Sequence, residues 1–409
     1  MLSLTRAGTA VLALGLVQPI AAVLVYVTSY SGTLTSLNLT LSGDAATNST
    51  SCGPRASIQR LAVNSGCAPS PSWLTLDRPN GILYCLDESL GNANGSLSSY
   101  KTSGNGTLTQ LKRIDTPAGP VYATMYGAEA RGLAVAEYQG ASLSSYNKDP
   151  SSLALVEQAT WTLPHPGANA TRQDTPHPHE VIVDPTGRFL LVPDLGSDLV
   201  RVFRINQTSL TWTPVDPLVT PPGTGPRHAS FVVAGAAAGN QTYMYLTSEL
   251  VNTVTGYAVT YNANSTLSFR KIYEAPSHGA GTVVPAAATV AEIVTSPDHR
   301  FVLVSTRSDA AFTIPSFDPE NSTQIVSDSV TSFSVDHATG RLARVQLFPA
   351  GGQIPRQFTI NKAGTLLGVG LQGSGRVVFI NRDVHSGKLT DFAGEVAIAG
   401  EVTSVVFDE

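Results

Sequence analysis

The stretch that decides the fold is Pro176–Phe203, which reads PHPHEVIVDPTGRFLLVPDLGSDLVRVF. Its β-branched run Val181–Val183 is followed by Asp184–Gly187, and the Asp, Pro and Gly there are typical of a tight turn. A second apolar run, Phe189–Pro193, and an alternating run, Leu199–Ile205, come next, and both patterns are typical of strands. The stretch therefore predicts an antiparallel meander of about thirty residues.

The same pattern recurs along the chain at intervals of roughly 48 to 65 residues. Besides the copy at Pro178, first strands are predicted to begin near Ser72, Val121, Pro226, Ala291 and Pro355. Two stretches fall outside the repeat. Asp44–Pro71 is interpreted as a long polar connection, and Phe312–Ser329 as an insertion in the sixth blade. A four-stranded unit in each repeat is what a propeller blade needs, so the predicted fold is an all-β, seven-bladed β-propeller of four-stranded antiparallel blades.

The two ends of the sequence complement each other. Val23–Tyr30 and Thr33–Thr40 are predicted strands that no first strand precedes, whereas Glu401–Asp408 has the first-strand pattern with no second strand behind it. We predict that these segments share one blade, so that the C-terminal strand closes the ring and removes two free sheet edges. Residues 23–409 are then one domain.

The N-terminal residues 1–22 have the pattern of a secretory signal peptide. Arg6 supplies the positive charge, Ala10–Val17 the apolar core, and Ala21 and Ala22 the small residues near a cleavage point. The apolar run is too short for a membrane span. The chain of 409 residues has a net charge of -5, only 13% charged residues and no basic run, which argues against nucleic acid as a partner. The prediction is a secreted protein without membrane or nucleic-acid contacts.

Glycosylation triplets support export. An Asn-x-Ser/Thr triplet, the acceptor for N-linked glycans, begins at Asn38, Asn48, Asn94, Asn105, Asn169, Asn206, Asn240, Asn264 and Asn321.

The cysteines are expected to form one disulfide in an oxidising compartment. The favoured pair is Cys52–Cys67, which flanks a loop of suitable length, with Cys85 buried and free in a strand. The alternative is Cys67–Cys85. Paired C-x-x-C spacing is missing from the sequence, so a zinc site is not expected.

The candidate chemical residues recur at two places in the repeat. His179, Arg227 with His228, and Arg356 lie at the start of first strands, and Glu249, Arg307 and Gln372 lie just after second strands. These two places are close in space because neighbouring strands run antiparallel. His177 lies two residues before His179, so both share one face of an extended chain. We therefore expect these side chains at one mouth of the propeller channel.

The chain also resembles a known family. The segments PHPHEVIVDPTGRFLLVPDLGSDLVRVF, GPRHASFV, TSELVNTV, SPDHRFVLVSTR and IPRQFTINKAGTLLGVGLQ are similar to the lactonase family of seven-bladed propellers, which includes bacterial 6-phosphogluconolactonase and fungal carboxy-cis,cis-muconate cyclase. The resemblance implies catalytic roles for four residues: His179, Arg227, Glu249 and Arg307. It also places His228, Arg356 and Gln372 at the pocket mouth, and His177 is a further substrate-binding candidate. No cofactor or metal is expected.

The chemistry of these residues suits a lactone-processing enzyme that binds a small lactone or carboxylate. His179 and Glu249 can exchange protons, provided the site raises the Glu249 pKa. Arg227 and Arg307 can bind a carboxylate or oxyanion. The same groups would serve hydrolysis or the reverse cyclisation. One alternative is a non-catalytic, ligand- or partner-binding propeller, and another is a calcium-dependent lactonase, which the arginines disfavour.

Overall fold

The computed structural model describes residues 22–42, 55–235 and 239–409. Within these residues, seven four-stranded antiparallel sheets form the blades of one ring, and a two-stranded hairpin is attached to it. The predicted all-β, seven-bladed propeller is confirmed.

The blades of the first half of the chain are built as follows. Blade 1 begins with β1 (Ala22–Ser29), β2 (Thr33–Ser42) and β3 (Arg55–Asn64). The strands of blades 2, 3 and 4, in chain order, are β4 (Pro71–Asp77), β5 (Ile82–Asp87), β6 (Asn94–Thr102), β7 (Leu108–Pro117), β8 (Pro120–Tyr126), β9 (Gly132–Glu137), β10 (Ser142–Asn147), β11 (Leu155–Thr160), β12 (Ile182–Val183), β13 (Phe189–Asp194), β14 (Leu199–Ile205) and β15 (Trp212–Val219).

The second half of the chain forms blades 5 to 7 and returns to blade 1. Its strands, in chain order, are β16 (Pro226–Val233), β17 (Thr242–Ser248), β18 (Thr253–Tyr261), β19 (Leu267–Pro276), β20 (Thr289–Thr295), β21 (Phe301–Arg307), β22 (Phe312–Pro315), β23 (Gln324–Ser327), β24 (Ser329–Val335), β25 (Leu342–Pro349), β26 (Pro355–Ile360), β27 (Leu366–Leu371), β28 (Arg376–Arg382), β29 (Leu389–Ala397) and β30 (Val402–Asp408). The β22–β23 hairpin lies between the second and third strands of blade 6, as the predicted insertion requires.

The ring is closed as predicted. The order in blade 1 is β3-β2-β1-β30, with β30 innermost and antiparallel to β1, so that Val27 lies opposite Val405 and Val25 opposite Phe407. On either side β30 contacts β26 and β4, the first strands of blades 7 and 2. The C-terminal strand therefore completes both its own sheet and the ring.

Turn chemistry and packing between blades explain the regularity. The Asp184 carboxylate accepts backbone N–H groups of Thr186, Arg188 and Phe189 at 2.7 to 2.8 Å, which closes the turn after β12. Apolar side chains from facing blades then pack together; Tyr245 of blade 5, for example, lies in one cluster with Val302 of blade 6. Each blade interior is thus covered by its neighbour.

The interpretation of Asp44–Pro71 as a connection only is wrong for its second half, because β3 occupies Arg55–Asn64. This strand is the outermost of blade 1, and most of its residues are exposed or half-buried. An outer strand needs few apolar side chains, so its sequence carries a weak strand signal.

The favoured pairing Cys52–Cys67 is also wrong, and the alternative pairing, Cys67–Cys85, is the one that forms. Cys67 is bonded to Cys85, with 6.3 Å between their Cα atoms, whereas Cys52 lies outside the described residues. Both bonded cysteines are fully buried, beside Leu34, Leu74 and other apolar residues. Cys85 is therefore buried as expected but not free. The segment between β3 and β4, which leads into blade 2, brings Cys67 next to Cys85 in β5.

Replacing both Cys67 and Cys85 by alanine is expected to lower the free energy of unfolding by about 3 kcal/mol, because the bond closes a loop and restricts the unfolded chain. Urea titration measures this change. Cys52→Ala is the matched control and should leave stability unchanged. Non-reducing peptide mapping that links Cys52 to Cys67 would contradict the assignment.

The export signals stay predictions. The signal peptide 1–22 lies outside the described residues except for Ala22, which begins β1, and Asn48 also lies outside them. Asn38 is half-buried in the middle of β2. The other triplet asparagines are exposed: Asn94, Asn105, Asn169, Asn206, Asn240, Asn264 and Asn321. Among the described residues, no helix has the length and apolarity to cross a membrane.

Candidate active site

A repeated irregularity positions side chains at one mouth of the channel. Where the first strand of a blade begins, its ladder to the second strand skips residues, which is the mark of a β-bulge. The skipped residues are Ser72, Val121, Arg227, Ala291 with Glu292, Arg356 and Thr403. A bulge re-aims a side chain that a regular ladder would direct elsewhere. These bulges therefore position three charged side chains that are described below: Arg227, Glu292 and Arg356.

The second strand of each blade ends beside these bulges. Pro226 pairs with Ser248, the residue before Glu249, and Thr289 pairs with Arg307. Pro355 pairs with Leu371, the residue before Gln372. The two repeat positions selected in the sequence are therefore adjacent in the fold, as expected.

Three arginines surround the Glu249 carboxylate. Arg172 Nη2 donates to Oε1 at 2.7 Å, while Arg227 Nε and Arg307 Nη2 lie 2.9 and 3.0 Å from Oε2. The Glu249 and Arg227 side chains are only 4% and 2% exposed. Arg227, Glu249 and Arg307 thus form one buried ion cluster, which Arg172 joins from the loop before β12.

This cluster sets the charge of Glu249. Burial alone would raise the pKa of its carboxyl, but the charges of Arg307, Arg227 and Arg172 outweigh burial and lower that pKa to about 2. The expectation of a raised pKa is therefore wrong. Glu249 stays ionised at neutral pH, so its chemistry is that of a fixed anion that orients arginines.

The cluster carries more positive than negative charge. Three guanidinium groups face one carboxylate, a local excess of two positive charges. Burial and the charge of Arg307 lower the pKa of Arg227 to about 9, which still leaves it cationic at neutral pH. Among the described residues, Arg227 Nη1 and Arg307 Nε find no hydrogen-bond partner. Such a site is suited to an anionic ligand.

Glu249→Gln is expected to destabilise the protein by about 3–5 kcal/mol near pH 7, because buried Arg227, largely buried Arg307 and the partly exposed Arg172 lose their counter-charge. The folded pKa lies below the ordinary value, so ionised Glu249 stabilises the native state above about pH 4.5, and this contribution is lost as the pH falls towards 2. Urea titrations from pH 3 to 8 should show the difference between variant and parent shrinking only below about pH 4.5. Glu274→Gln, in an exposed pair with Lys271, is the matched control. A difference that is already lost by pH 6 would contradict the lowered pKa.

His179 and His228 form a second buried group. His179 Nδ1 lies 3.1 Å from His228 Nε2, and His228 Nδ1 lies 2.8 Å from Glu292 Oε1. Burial, followed by the charge of Arg227, lowers the pKa of His179 well below its ordinary value. His179 is therefore a neutral imidazole at neutral pH and can accept a proton. Both ring nitrogens of His228 are engaged, so it is placed for supporting His179 and not for direct binding of substrate.

The remaining predicted residues line the same mouth. Arg356 Nη2 lies 3.6 Å from Glu88 Oε2 and its guanidinium faces the Tyr30 ring, while the Tyr30 hydroxyl donates to Glu88. Gln372 Nε2 donates to Glu401 Oε2 at 2.7 Å. A cavity of about 450 Å³ opens here, and its polar lining is Thr289, Arg307, Ser308, Arg356, Gln372 and Glu401.

His177 is placed differently from the prediction. Its Nδ1 contacts the Tyr138 carbonyl at 3.0 Å, its Nε2 contacts Asp174 at 2.9 Å, and its ring stacks on Tyr138. Because protein groups use both nitrogens, His177 supports the loop before β12. His177 therefore has no ring nitrogen left to bind a substrate, which was its predicted role.

Several residues of the mouth were missed in the sequence. Tyr30 and Glu88 directly follow β1 and β5, the same repeat position as Glu249 and Gln372, so the repeat could have revealed them. Glu292 lies at the bulge of β20, the repeat position of Arg227 and Arg356, so the repeat could have revealed it as well. Arg172, in contrast, lies in a loop outside the repeat. Nothing in the sequence marks Arg172 as a partner of Glu249, 77 residues further on.

Across the described ranges, no group of three or more His, Cys, Asp or Glu side chains is arranged to hold a metal ion.

Comparison with known proteins fits this architecture. The sequence matches the family described as "Lactonase, 7-bladed beta-propeller" over residues 26–407. The chain belongs to this lactonase family. A relative of this lactonase-family propeller is the "Probable 6-phosphogluconolactonase" of Arthroderma benhamiae, 30% identical over 332 residues that cover 81% of this chain and 78% of the relative. The 6-phosphogluconolactonase of Formosa agariphila is 28% identical over 342 residues, which are 82% of this chain and 88% of that protein.

Solved structures show the same fold. The periplasmic gluconolactonase of Pseudomonas aeruginosa superposes on the lactonase-family propeller with a TM-score of 0.72 and 24% identity, covering 95% of this chain and 99% of that one. At this identity the likeness concerns the fold alone.

Proposed function

We propose that the protein hydrolyses a lactone that carries an anionic group, such as the phosphorylated lactone of a sugar acid. The observation that carries this proposal is the surplus of arginine charge around the buried Glu249 carboxylate, next to the cavity of about 450 Å³. A phosphate or carboxylate on the substrate would supply the missing negative charge. The names of the relatives, 6-phosphogluconolactonases, support the same substrate class.

The roles of the residues follow from their charge states. His179 takes a proton from water as the water oxygen attacks the lactone carbonyl carbon, and Arg227 and Arg307 bind the oxyanion that forms. When the ring C–O bond breaks, His179 returns the proton to the departing alkoxide. The carboxylic acid product then ionises and releases one proton to solvent. Glu249 holds the arginines in place and transfers no proton.

Substrate charge also assists the base. The arginines near His179, together with burial, oppose its protonation. An anionic substrate offsets that charge, so His179 becomes a stronger base when the substrate is bound. A neutral lactone would lack this effect and the arginine contacts to an anionic group, and would keep only the contacts to the oxyanion.

A panel of lactones tests the proposal. We expect kcat/KM for a phosphorylated or carboxylated lactone to exceed that of its neutral analogue by about a hundredfold, the scale of two charge-assisted contacts, and to be insensitive to a chelator. Equal turnover of both analogues would contradict the anionic substrate, and loss of turnover with chelator would indicate a calcium-dependent enzyme. Binding without turnover would favour the non-catalytic propeller. A muconate in the panel tests the reverse cyclisation.

We also propose that the protein is located in an oxidising, secretory compartment. The predicted signal peptide, the Cys67–Cys85 disulfide and the exposed glycosylation triplets support this location. Protein from a eukaryotic secretory host should lose mass on glycosidase treatment, with modification at exposed asparagines such as Asn105 and none at half-buried Asn38. Recovery only inside the cells, without glycans, would contradict secretion.

A further inference from the structure

A buried chain of hydrogen-bonding groups lies behind His179 and is not explained by the reaction above. It runs from His179 through His228 to Glu292, with distances of 3.1 and 2.8 Å. The three residues are 8%, 2% and 3% exposed and come from three neighbouring blades. Burial therefore limits the access of bulk solvent to these hydrogen bonds.

The direction of these hydrogen bonds can be derived from the partners. Glu292 Oε1 accepts the backbone N–H of Ile293 at 3.0 Å, and the same oxygen faces His228 Nδ1. A carboxylate oxygen accepts, so His228 Nδ1 carries the hydrogen and, in the neutral ring, His228 Nε2 holds a lone pair. His179 Nδ1 must then donate to that lone pair. This leaves the lone pair of His179 on Nε2, which no group in the described part of the chain engages by a hydrogen bond.

We propose that His228 and Glu292 are positioning residues that fix His179 in the Nδ1–H tautomer, so that its Nε2 is the atom that accepts the proton from the attacking water. This inference rests on the proposed lactone hydrolysis and deepens it. As His179 becomes a cation, its Nδ1–H bond to His228 strengthens, and the negative charge of Glu292 stabilises the chain. When Nε2 gives its proton to the alkoxide, all three groups return to their starting states, and no proton leaves through the chain.

The need for Glu292 follows from the charges around His179. Arg227, Arg307 and Arg356 all oppose the imidazolium. Glu249 is already shared by three arginines, so it offers little compensation. Glu292 is the carboxylate that reaches His179 through hydrogen bonds, and its Oε2 has no partner among the described residues. An orienting carboxylate of this kind is known to be important where histidine is the base.

Glu180 provides a matched control. It is a buried glutamate of blade 4, and its Oε2 accepts the backbone N–H of Ala229 at 2.6 Å. Burial, and then the charge of Glu292, raise the pKa of Glu180 well above its ordinary value, which favours the neutral, protonated acid. Glutamine at position 180 matches the size of the neutral acid and leaves the hydrogen bonds from His179 to Glu292 in place, whereas glutamine at position 292 replaces the carboxylate that His228 contacts.

The tautomer is tested without any substrate. The protein has eight histidines, and ¹⁵N-labelled histidine in the full chain allows long-range ¹H–¹⁵N correlation spectra at neutral pH, with His179→Asn and His228→Asn variants for assignment. We expect neutral Nδ1–H rings for both His179 and His228. A proton on His179 Nε2 in the free protein would overturn the proposal. So would ¹⁵N signals of one ring that stay unchanged when the other histidine is replaced.

Turnover gives the second test. On an anionic lactone that the parent protein hydrolyses, Glu292→Gln should lower kcat by about 10- to 1,000-fold with little change in KM, because the base is affected and the arginine contacts are not. Glu180→Gln should keep the parent kcat. Equal kcat for Glu292→Gln and the parent would overturn the relay while leaving the proposed function intact. If no lactone is turned over, the proposed function fails, and the NMR spectra still decide the tautomer.

Discussion

Replacing Arg227 by alanine is expected to lower kcat/KM on an anionic lactone by about a hundredfold or more, the scale of losing one donor to a developing oxyanion. Arg227 is 1% exposed and sits on the bulge of β16, where its guanidinium lies 2.9 Å from Glu249. It is therefore held in place before substrate binds. Initial rates with the phosphorylated and the neutral lactone measure the effect.

Stability should change much less than for an ordinary large-to-small core substitution, which costs about 2–5 kcal/mol. The variant leaves a cavity, but it also removes the repulsion between Arg227 and Arg307, and Glu249 retains two arginine partners. Arg227→Lys should restore activity only in part, because lysine cannot form the bidentate contact.

Arg300→Ala is the matched control. Arg300 is a half-exposed arginine that pairs with Asp298 in the turn before β21, away from the cluster. It should keep full activity. Full activity of Arg227→Ala on a confirmed lactone would exclude Arg227 from the site.

Ending the chain after Gly400 is expected to abolish cooperative folding at 37 °C. The truncation removes β30, whose Val402, Val405 and Phe407 are 0%, 0% and 8% exposed. Three buried side chains of this size contribute about 5–9 kcal/mol, which is comparable to the total stability of a typical domain, about 5–15 kcal/mol. The edge of β1 would also be opened, and β26 and β4 would lose the strand that packs between them.

Thermal unfolding followed by near-UV circular dichroism, together with size-exclusion chromatography, measures the effect. Removing Glu409 alone is the control, since it leaves β30 complete, and it should melt close to the parent. If the protein truncated after Gly400 melted like the parent, the C-terminal strand would not be what closes the ring.

Much of the fold could be predicted from the sequence because the blades repeat the same local chemistry. In Pro176–Phe203 a β-branched run, a turn and an alternating run follow one another within a few residues. Because each of these signals is local, the order strand, turn, strand can be recognised in the other copies, although their turn residues differ. Ring closure by β30 followed from the same pattern, with one strand missing at the start and one left over at the end. The mouth position of Arg227, Glu249 and Arg307 followed from their place in the repeat.

The tertiary structure alone decided properties that depend on distance between remote residues. The pKa of Glu249 is lowered because Arg172, Arg227 and Arg307, from a loop and two other positions in the chain, meet at one carboxylate. The sequence allowed a raised value equally well, since Coulomb energy depends on separations that no local pattern encodes. The partner of Cys67 likewise depends on the path of the chain, which brings Cys67 next to Cys85 in β5. The contact between Glu292 and His228 joins residues that are 64 positions apart, so no local pattern predicts it. Local chemistry determined the strands and the ring, and the packing of the blades determined the charge of each group at the mouth.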